Sequence, residues 1–280
     1  MGCCNGEKGL PRDGIEEAIK KYYGDVARSV GNKEARAGGC CQGDDDPITR
    51  DLYSQSETLG IPEQALQASR GCANPVLMAE LRPGEVVLDL GSGGGIDVLL
   101  SARRVGPGGK AYGLDLTDEM LDLARKNQRQ AGVENAEFLK GNMEDIPLPN
   151  GAVDVIISNC VINLSTDKDR VFEEMYRVLR SGGRVSIADV VHRGELPEGF
   201  KQVETWAGCL AGTLEEEEYK EKLSRAGFAK IQIIPFREYT ASDINEFVRQ
   251  AGKLGKVIDQ KWLAQFAGKF ASVVVKAEKL

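Results

Sequence analysis

The sequence predicts an α/β protein with a mostly parallel, seven-stranded sheet and helices on both of its faces. Three observations predict it. Short β-branched runs alternate with segments of helical periodicity between residues 85 and 191, which is typical of a parallel sheet. A glycine-rich turn over residues 91–95 follows the first of these strands. Two further strand-like runs lie near the end of the chain and complete the seven strands.

The alternating region contains five predicted strands and three predicted helices. The strands span residues 85–90, 110–115, 136–140, 153–159 and 184–191. The helices span residues 95–105, 118–131 and 167–180, where apolar side chains recur at helical spacing. The remaining elements are helices over residues 15–30, 62–70 and 215–226, a turn over residues 71–75, and the last two strands over residues 231–235 and 271–277.

Composition excludes several classes of protein. The chain has 280 residues, 41% of them hydrophobic, and a net charge of -7, which argues against a general nucleic-acid-binding surface. It has no apolar run long enough to span a membrane and no secretory signal. Seven cysteines without a CxxC pair, and a single histidine, do not make a disulfide scaffold or a zinc finger. We therefore expect a cytoplasmic monomer with mostly reduced thiols and no membrane or nucleic-acid partner.

The glycine-rich turn predicts a cofactor site. Its pattern is GxGxG with Ile96 after it, whereas a dinucleotide site would read GxGxxG. Asp89 precedes the turn by two residues, where a carboxylate can pair with an amine. Asp115 ends the second strand, where a carboxylate can accept both ribose hydroxyl groups. A ligand with a ribose, an amine and a sulfonium fits these features, and S-adenosylmethionine is such a ligand.

At this point the residues resemble the class I S-adenosylmethionine-dependent methyltransferases. Residues 141–149 are similar to the adenine-binding loop of that family, and residues 153–159 are similar to its fourth strand. The resemblance implies a Rossmann-like domain over residues 48–194. The cofactor-binding residues that it implies are Asp89, Gly91, Ser92, Gly93, Gly95, Asp115, Leu116, Met120, Asn142, Met143, Glu144 and Asn159.

Three cysteines from distant segments could converge on this site. Cys72 lies just before the first strand, Cys160 directly follows the fourth, and Cys209 lies in a segment after the fifth. Each could instead be a small buried hydrophobic residue. Their sequence contexts, together with Cys41 behind a Tyr-Tyr-Gly segment, resemble the arsenite S-adenosylmethionine methyltransferases over roughly residues 15–277.

This second resemblance implies a function for the thiols. Trivalent arsenic is soft and prefers thiolate ligands, and its lone pair would attack the sulfonium methyl group without a general base. The family implies catalytic roles for Cys41, Cys72, Cys160 and Cys209, with the last three as arsenic ligands. It also implies a disulfide relay between Cys41 and Cys72 that thioredoxin or glutathione reduces, although Cys40 competes with Cys41 for this place. Substrates would be arsenite and methylated trivalent arsenicals, in arsenic detoxification.

The implied organisation has four parts. Residues 1–47 form an N-terminal extension, residues 48–194 the cofactor-binding domain, residues 195–228 an arsenic-binding segment that could cover the site, and residues 229–280 the final strands.

Two other functions stay open. A methyltransferase of a quinone-like or lipid-like acceptor would tolerate Cys160→Ser and Cys209→Ser, and a non-catalytic soft-metal-binding protein would bind arsenite without turnover.

Overall fold

The computed structural model describes residues 12–30, 52–196, 212–240, 242–243 and 268–280. The predictions for Cys40, Cys41 and Cys209 concern positions outside these ranges. Within them, no helix is both long enough and apolar enough to cross a membrane.

The described residues build one mostly parallel sheet, as the sequence predicts. Its strand order is β3-β2-β1-β4-β5-β8-β7, and a short strand β6 pairs with β5. The strands are β1 Val86–Leu90, β2 Lys110–Asp115, β3 Ala136–Lys140, β4 Val153–Asn159, β5 Leu179–His192, β6 Leu214–Glu215, β7 Ala229–Glu238 and β8 Phe270–Glu278. Strands β1 to β6 run parallel to one another wherever they pair, whereas β8 is antiparallel to both of its neighbours, β5 and β7.

The order of the strands creates a switch point beside β1. The chain moves outward from β1 to β2 and β3, and then returns to place β4 on the other side of β1. Crossovers on the two sides therefore leave in opposite directions, and a crevice opens at the carboxyl ends of β1 and β4. Open α/β sheets bind their ligands in such a crevice.

Helices cover both faces of this sheet. They are α1 Arg12–Ser29, α2 Gln55–Thr58, α3 Glu63–Ala68, α4 Pro75–Met78, α5 Ile96–Val105, α6 Asp118–Ala131, α7 Lys168–Val178 and α8 Glu216–Arg225. Alternate residues of β1 enter different apolar clusters: Leu88 packs with Phe172 of α7, while Val87 packs with Leu99 of α5. This alternation follows from the twofold repeat of a strand whose two faces are both covered.

Several local features differ from the prediction. Helix α2 and strand β6 were not predicted, and β6 adds an eighth strand to the seven expected. Residues 71–75 were predicted as a turn, but Asn74 begins helix α4 by accepting a hydrogen bond from the Leu77 amide at 2.9 Å, and Pro75 suits its first turn. Helix α7 ends at Val178 instead of residue 180, because Leu179 is fully buried and already pairs with Val153 of β4.

The segment predicted to cover the site is divided in the structure. Strand β6 pairs with β5, and α8 buries Tyr219 and Leu223 in the main apolar cluster. The part of residues 195–228 that follows position 211 therefore belongs to the sheet and its core. Residues 197–211, which include Cys209, lie outside the described ranges.

Candidate active site

A pocket lies at the switch point, at the carboxyl ends of β1, β2 and β4. Loops that follow β1, β2, β3 and β4 line it, together with α1 and the link between α3 and α4. Eleven of the twelve predicted cofactor residues belong to this lining. They are Asp89, Gly91, Ser92, Gly93, Asp115, Leu116, Met120, Asn142, Met143, Glu144 and Asn159.

The glycine loop is held by its own amide groups. The N–H groups of Gly91 and Ser92 donate to the carbonyl of Leu114 at 2.8 and 2.9 Å, and the N–H of Gly93 donates to Asp115 Oδ2 at 2.8 Å. Gly91 has a φ of 70°, and a Cβ there would lie 2.2 Å from Val161 Cγ2. Because these three amides donate to residues at the end of β2, they are not available to bind a pyrophosphate.

Gly95 lies outside the pocket lining, and packing explains why it is a glycine. It begins α5 with a φ of 87°, and a Cβ there would lie 2.8 Å from Phe138 Cζ. A side chain would strain the backbone and separate α5 from β3.

Asp89 is the feature of the pocket that most clearly requires a ligand. Its side chain is buried, and Oδ1 has no hydrogen-bond partner among the described residues. Burial, followed by repulsion from Asp97 and Asp115, raises its pKa well above the usual range. A buried carboxylate is costly unless a charge pairs with it. The ammonium group of S-adenosylmethionine would be such a partner.

Asp115 keeps acceptor capacity for a ribose. Its Oδ2 accepts from the Gly93 amide, and its Oδ1 accepts from the Thr117 amide at 2.9 Å. Burial raises the pKa of this carboxyl group, while these amide bonds oppose the rise. Each oxygen of a carboxylate has two acceptor positions, so one on each oxygen is left for a ribose hydroxyl. Asp115 thus also fixes the glycine loop, a role the sequence did not indicate.

The loop after β3 is ordered by short polar contacts. Glu144 Oε1 accepts from the Ser165 hydroxyl at 2.6 Å, and the Glu144 amide donates to Asn142 Oδ1 at 3.3 Å. Met143 and Glu144 of this loop line the pocket, as do Leu116 and Met120 across from it. This wall combines apolar surface with amide and carboxylate groups, which suits an adenine ring.

Cys160 lies at the pocket in a strained backbone conformation. It directly follows β4, lines the pocket, and has a φ of 62°. Its amide donates to the carbonyl of Ala188 on β5 at 2.8 Å. A left-handed conformation at a residue other than glycine costs about 1–2 kcal/mol. Strain of this kind concentrates at functional sites, which favours a role for this thiol beyond packing.

Asn159 joins the Cys72 segment to the end of β4. Its Oδ1 accepts from the Cys72 amide at 2.9 Å, and its Nδ2 donates to the Ala73 carbonyl at 2.9 Å and to Asp97 Oδ2 at 3.1 Å. A Cβ on Gly71 would lie 2.2 Å from Asn159 Nδ2, so the contact requires glycine at position 71. Asn159 was predicted as a cofactor residue. Its hydrogen bonds to the Cys72 segment are a second role that the sequence did not indicate.

Cys72 and Cys160 are thereby brought together. Both are buried, and both belong to one apolar cluster with Tyr239 and Phe270. The two thiols also contribute, after burial, to the raised pKa of Tyr239. Cys41 and Cys209 lie outside the described ranges, and within those ranges no three His, Cys, Asp or Glu side chains are grouped to hold a metal ion. The pair Cys72 and Cys160 is the described part of the predicted thiol set.

A buried polar network lies beyond this pair. Asp189 on β5 accepts from Asn163 Nδ2 at 2.6 Å and from the Val190 amide at 3.0 Å, and Tyr219 donates to it at 3.4 Å. Burial raises the pKa of Asp189 to about 7. Asn163 follows Cys160 by three residues, so the network fixes the turn that carries the thiol to the centre of the sheet.

The N-terminal helix completes the pocket. Ile15, Glu16, Ile19 and Tyr23 of α1 line it, and α1 packs on α6 through an ion pair between Arg28 and Glu119. Ile19 and Tyr23 also pack against the cluster that contains the two cysteines. The sequence predicted α1 as a helix without placing it at the site, since amphipathic spacing does not say which surface the apolar face covers.

Comparisons with known proteins agree with this geometry. The profile of a family described as "Methyltransferase domain" matches residues 81–227, about half of the chain. An arsenite methyltransferase of Halobacterium salinarum is 38% identical over 234 residues, which is 80% of this chain and 60% of that protein. A ubiquinone/menaquinone biosynthesis C-methyltransferase of Vibrio vulnificus is 39% identical over 110 residues, which is 39% of this chain and 42% of that protein.

A solved structure shares the fold over most of the chain. The crystal structure of an arsenic (III) S-adenosylmethionine methyltransferase from Chlamydomonas reinhardtii superposes with a TM-score of 0.67 at 29% identity, and covers 84% of this chain and 74% of that one. The chain spans 60% of the length of the halobacterial relative. The fold, the pocket with its unpartnered Asp89 and the family match lead to one conclusion: the chain belongs to the methyltransferase domain family, and its cofactor is S-adenosylmethionine.

Proposed function

We propose that this chain transfers the methyl group of S-adenosylmethionine to trivalent arsenic, with arsenite and methylarsenite as substrates. One observation carries the proposal: two buried thiols, Cys72 and Cys160, belong to one cluster beside the cofactor pocket, and Cys160 lines that pocket. Thiolates are soft ligands and suit a soft acceptor. The cofactor pocket alone would not need them.

The chemistry asks little of the protein beyond binding and positioning. Arsenite binds when each thiol replaces a hydroxyl group on arsenic, and the thiol proton leaves with that hydroxyl as water, so no general base is needed. The thiolates leave the lone pair of arsenic open toward the pocket. S-adenosylmethionine supplies an electrophilic sulfonium methyl group when bound. Asp89 binds the amino-acid end of the cofactor and Asp115 binds its ribose. Ile19 and Tyr23 give the pocket an apolar wall beside the thiols.

The rest of the thiol set is part of the same proposal. Cys209 serves as the third arsenic ligand, and Cys41 forms a disulfide with Cys72 when electrons return to the oxidised arsenic. Thioredoxin or glutathione then reduces that disulfide, and the pathway detoxifies arsenic. Support comes from the sequence contexts of these cysteines. The match to an arsenite methyltransferase also supports it, because that match covers 234 residues and extends beyond the methyltransferase domain at residues 81–227.

A second candidate is methylation of a quinone-like carbon or oxygen acceptor. The match to a ubiquinone/menaquinone methyltransferase favours it, but that match covers 39% of the chain. This candidate gives no role to a strained cysteine beside the pocket. A non-catalytic soft-metal-binding protein would give no role to the buried, unpartnered oxygen of Asp89.

We expect Cys72→Ser to slow the first methylation more than the second. Arsenite takes three thiolates, whereas methylarsenite has one valence filled by carbon and takes two, so it depends less on Cys72. Single-turnover rates should fall by at least about tenfold more with arsenite than with methylarsenite. The affinity for S-adenosylhomocysteine should not change. Equal losses with both substrates would contradict this assignment of Cys72.

A further inference from the structure

The pocket is rich in carboxylates and poor in cations. Among the described residues that line it, five acidic side chains face one basic side chain, Arg70. The acids are Glu16, Asp89, Asp97, Asp115 and Glu144. S-adenosylmethionine carries an ammonium and a sulfonium, which suit this lining, but it also carries a carboxylate. That carboxylate is best matched by a positively charged donor, which the five acidic side chains cannot supply.

Most amides of the glycine loop do not provide such a donor. The amides of Gly91 and Ser92 donate to Leu114, the amide of Gly93 donates to Asp115, and the amide of Gly95 donates to the Ser92 carbonyl. Loops that bind anions point their amides at the ligand. Here four of the five amides already donate within the fold, which leaves only that of Gly94. A single neutral amide lacks the positive charge and the paired donors that a guanidinium offers to a carboxylate.

Arg70 has the properties of the missing donor. Its Nη1 donates to the carbonyls of Gln67 and Ser69 at 2.9 and 2.7 Å, which fixes the plane of the half-buried guanidinium. Its Nε is buried and has no hydrogen-bond partner among the described residues. Within the same residues, no carboxylate forms an ion pair with it. Leaving a buried donor unsatisfied is unfavourable, and a planar guanidinium matches a carboxylate with two parallel hydrogen bonds.

We propose that Arg70 binds the carboxylate of the cofactor's methionyl group, while Asp89 binds its ammonium. This pairs each charge of the amino-acid end with an opposite charge of the pocket. Arg70 precedes Cys72 by two residues, so the same segment that seats the cofactor also carries a thiol. The inference depends on the cofactor and not on arsenic as the substrate.

The test compares two cofactors that differ in the carboxylate alone. Calorimetry should show that the wild-type chain binds decarboxylated S-adenosylmethionine about 10- to 100-fold more weakly than S-adenosylmethionine. Arg70→Gln should weaken binding of S-adenosylmethionine by a similar factor and leave binding of the decarboxylated compound within about twofold. Arg82→Gln is the matched control, since Arg82 is exposed and lies outside the pocket lining, and it should change neither affinity.

Two results would overturn the proposal. An equal loss for both ligands in Arg70→Gln would assign Arg70 a structural role only, and equal binding of both ligands by the wild-type chain would show that the carboxylate is not recognised. The wild-type comparison needs no variant, so it decides the matter even if Arg70→Gln does not fold. Because no arsenic is present, failure here is distinct from failure of the proposed reaction.

Discussion

Cys160→Ala is expected to lower arsenite methylation by at least about 100-fold while the affinity for S-adenosylhomocysteine stays within about threefold. The thiol is the proposed arsenic ligand in the pocket lining, and neither arsenite nor methylarsenite has a substitute for it. Misplacing a reacting atom by about 1 Å already costs about 100-fold, and loss of a ligand should cost more. Methylated arsenic can be measured by chromatography with arsenic detection, and cofactor binding by calorimetry.

Cys160→Gly separates chemistry from stability at the same position. Glycine accepts a φ of 62° without the strain that cysteine carries, so this variant should unfold at a temperature no lower than that of Cys160→Ala. It should be equally inactive toward arsenite. If the chain instead methylates a quinone-like acceptor, both substitutions should leave its methyltransferase activity nearly unchanged. Retention of wild-type arsenite methylation in Cys160→Ala would remove the thiol from the mechanism.

Asp89→Asn is expected to weaken cofactor binding by about 10- to 100-fold at neutral pH. The carboxylate is proposed to pair with the cofactor ammonium, and a charge-assisted bond contributes about 1.5–3 kcal/mol. Calorimetry with S-adenosylhomocysteine measures the loss. The binding of 5′-methylthioadenosine, which lacks the amino-acid end, should change little and serves as the control ligand.

The same substitution should stabilise the unliganded chain. The pKa of Asp89 in the folded state lies well above its value in the unfolded chain, so its ionisation opposes folding. Below about pH 4, near the pKa of Asp in the unfolded chain, Asp89 is protonated in both states and does not lower the free energy of unfolding. As the pH rises from there through the pKa of the folded state, this stability is lost. Asp89→Asn should therefore raise the Tm by a few degrees at pH 8 and leave it nearly unchanged at pH 4. A lower Tm at pH 8 with unchanged cofactor affinity would contradict this role.

Local patterns in the sequence account for much of the fold. The strands from β1 to β5, the glycine loop and the carboxylates Asp89 and Asp115 follow from short apolar runs and their end residues, which sequence displays directly. The antiparallel strands β7 and β8 were also recognised, since both are β-branched runs bounded by turns. Strand β8 lies beside β5 and β7 beside β8, which completes the seven predicted strands, and the short β6 adds an eighth.

Features that depend on distant contacts were not predicted. The sequence did not place α1 over the pocket, because that requires its contact with α6, about one hundred residues away. It did not indicate that Asn159 would hold the Cys72 segment, or that Asp189 would lie behind Cys160. The sequence also did not indicate a role for Arg70. That role depends on the charges around the pocket, and these come from several distant segments of the chain.

The most direct test of the proposed function is a single incubation of the whole chain with arsenite, S-adenosylmethionine and a thiol reductant, followed by arsenic speciation. The proposal predicts methylated arsenic together with one S-adenosylhomocysteine for each methyl group transferred, and none above background with Cys160→Ala. No methylated arsenic from a wild-type chain that binds S-adenosylmethionine normally, or equal amounts from wild type and Cys160→Ala, would contradict it.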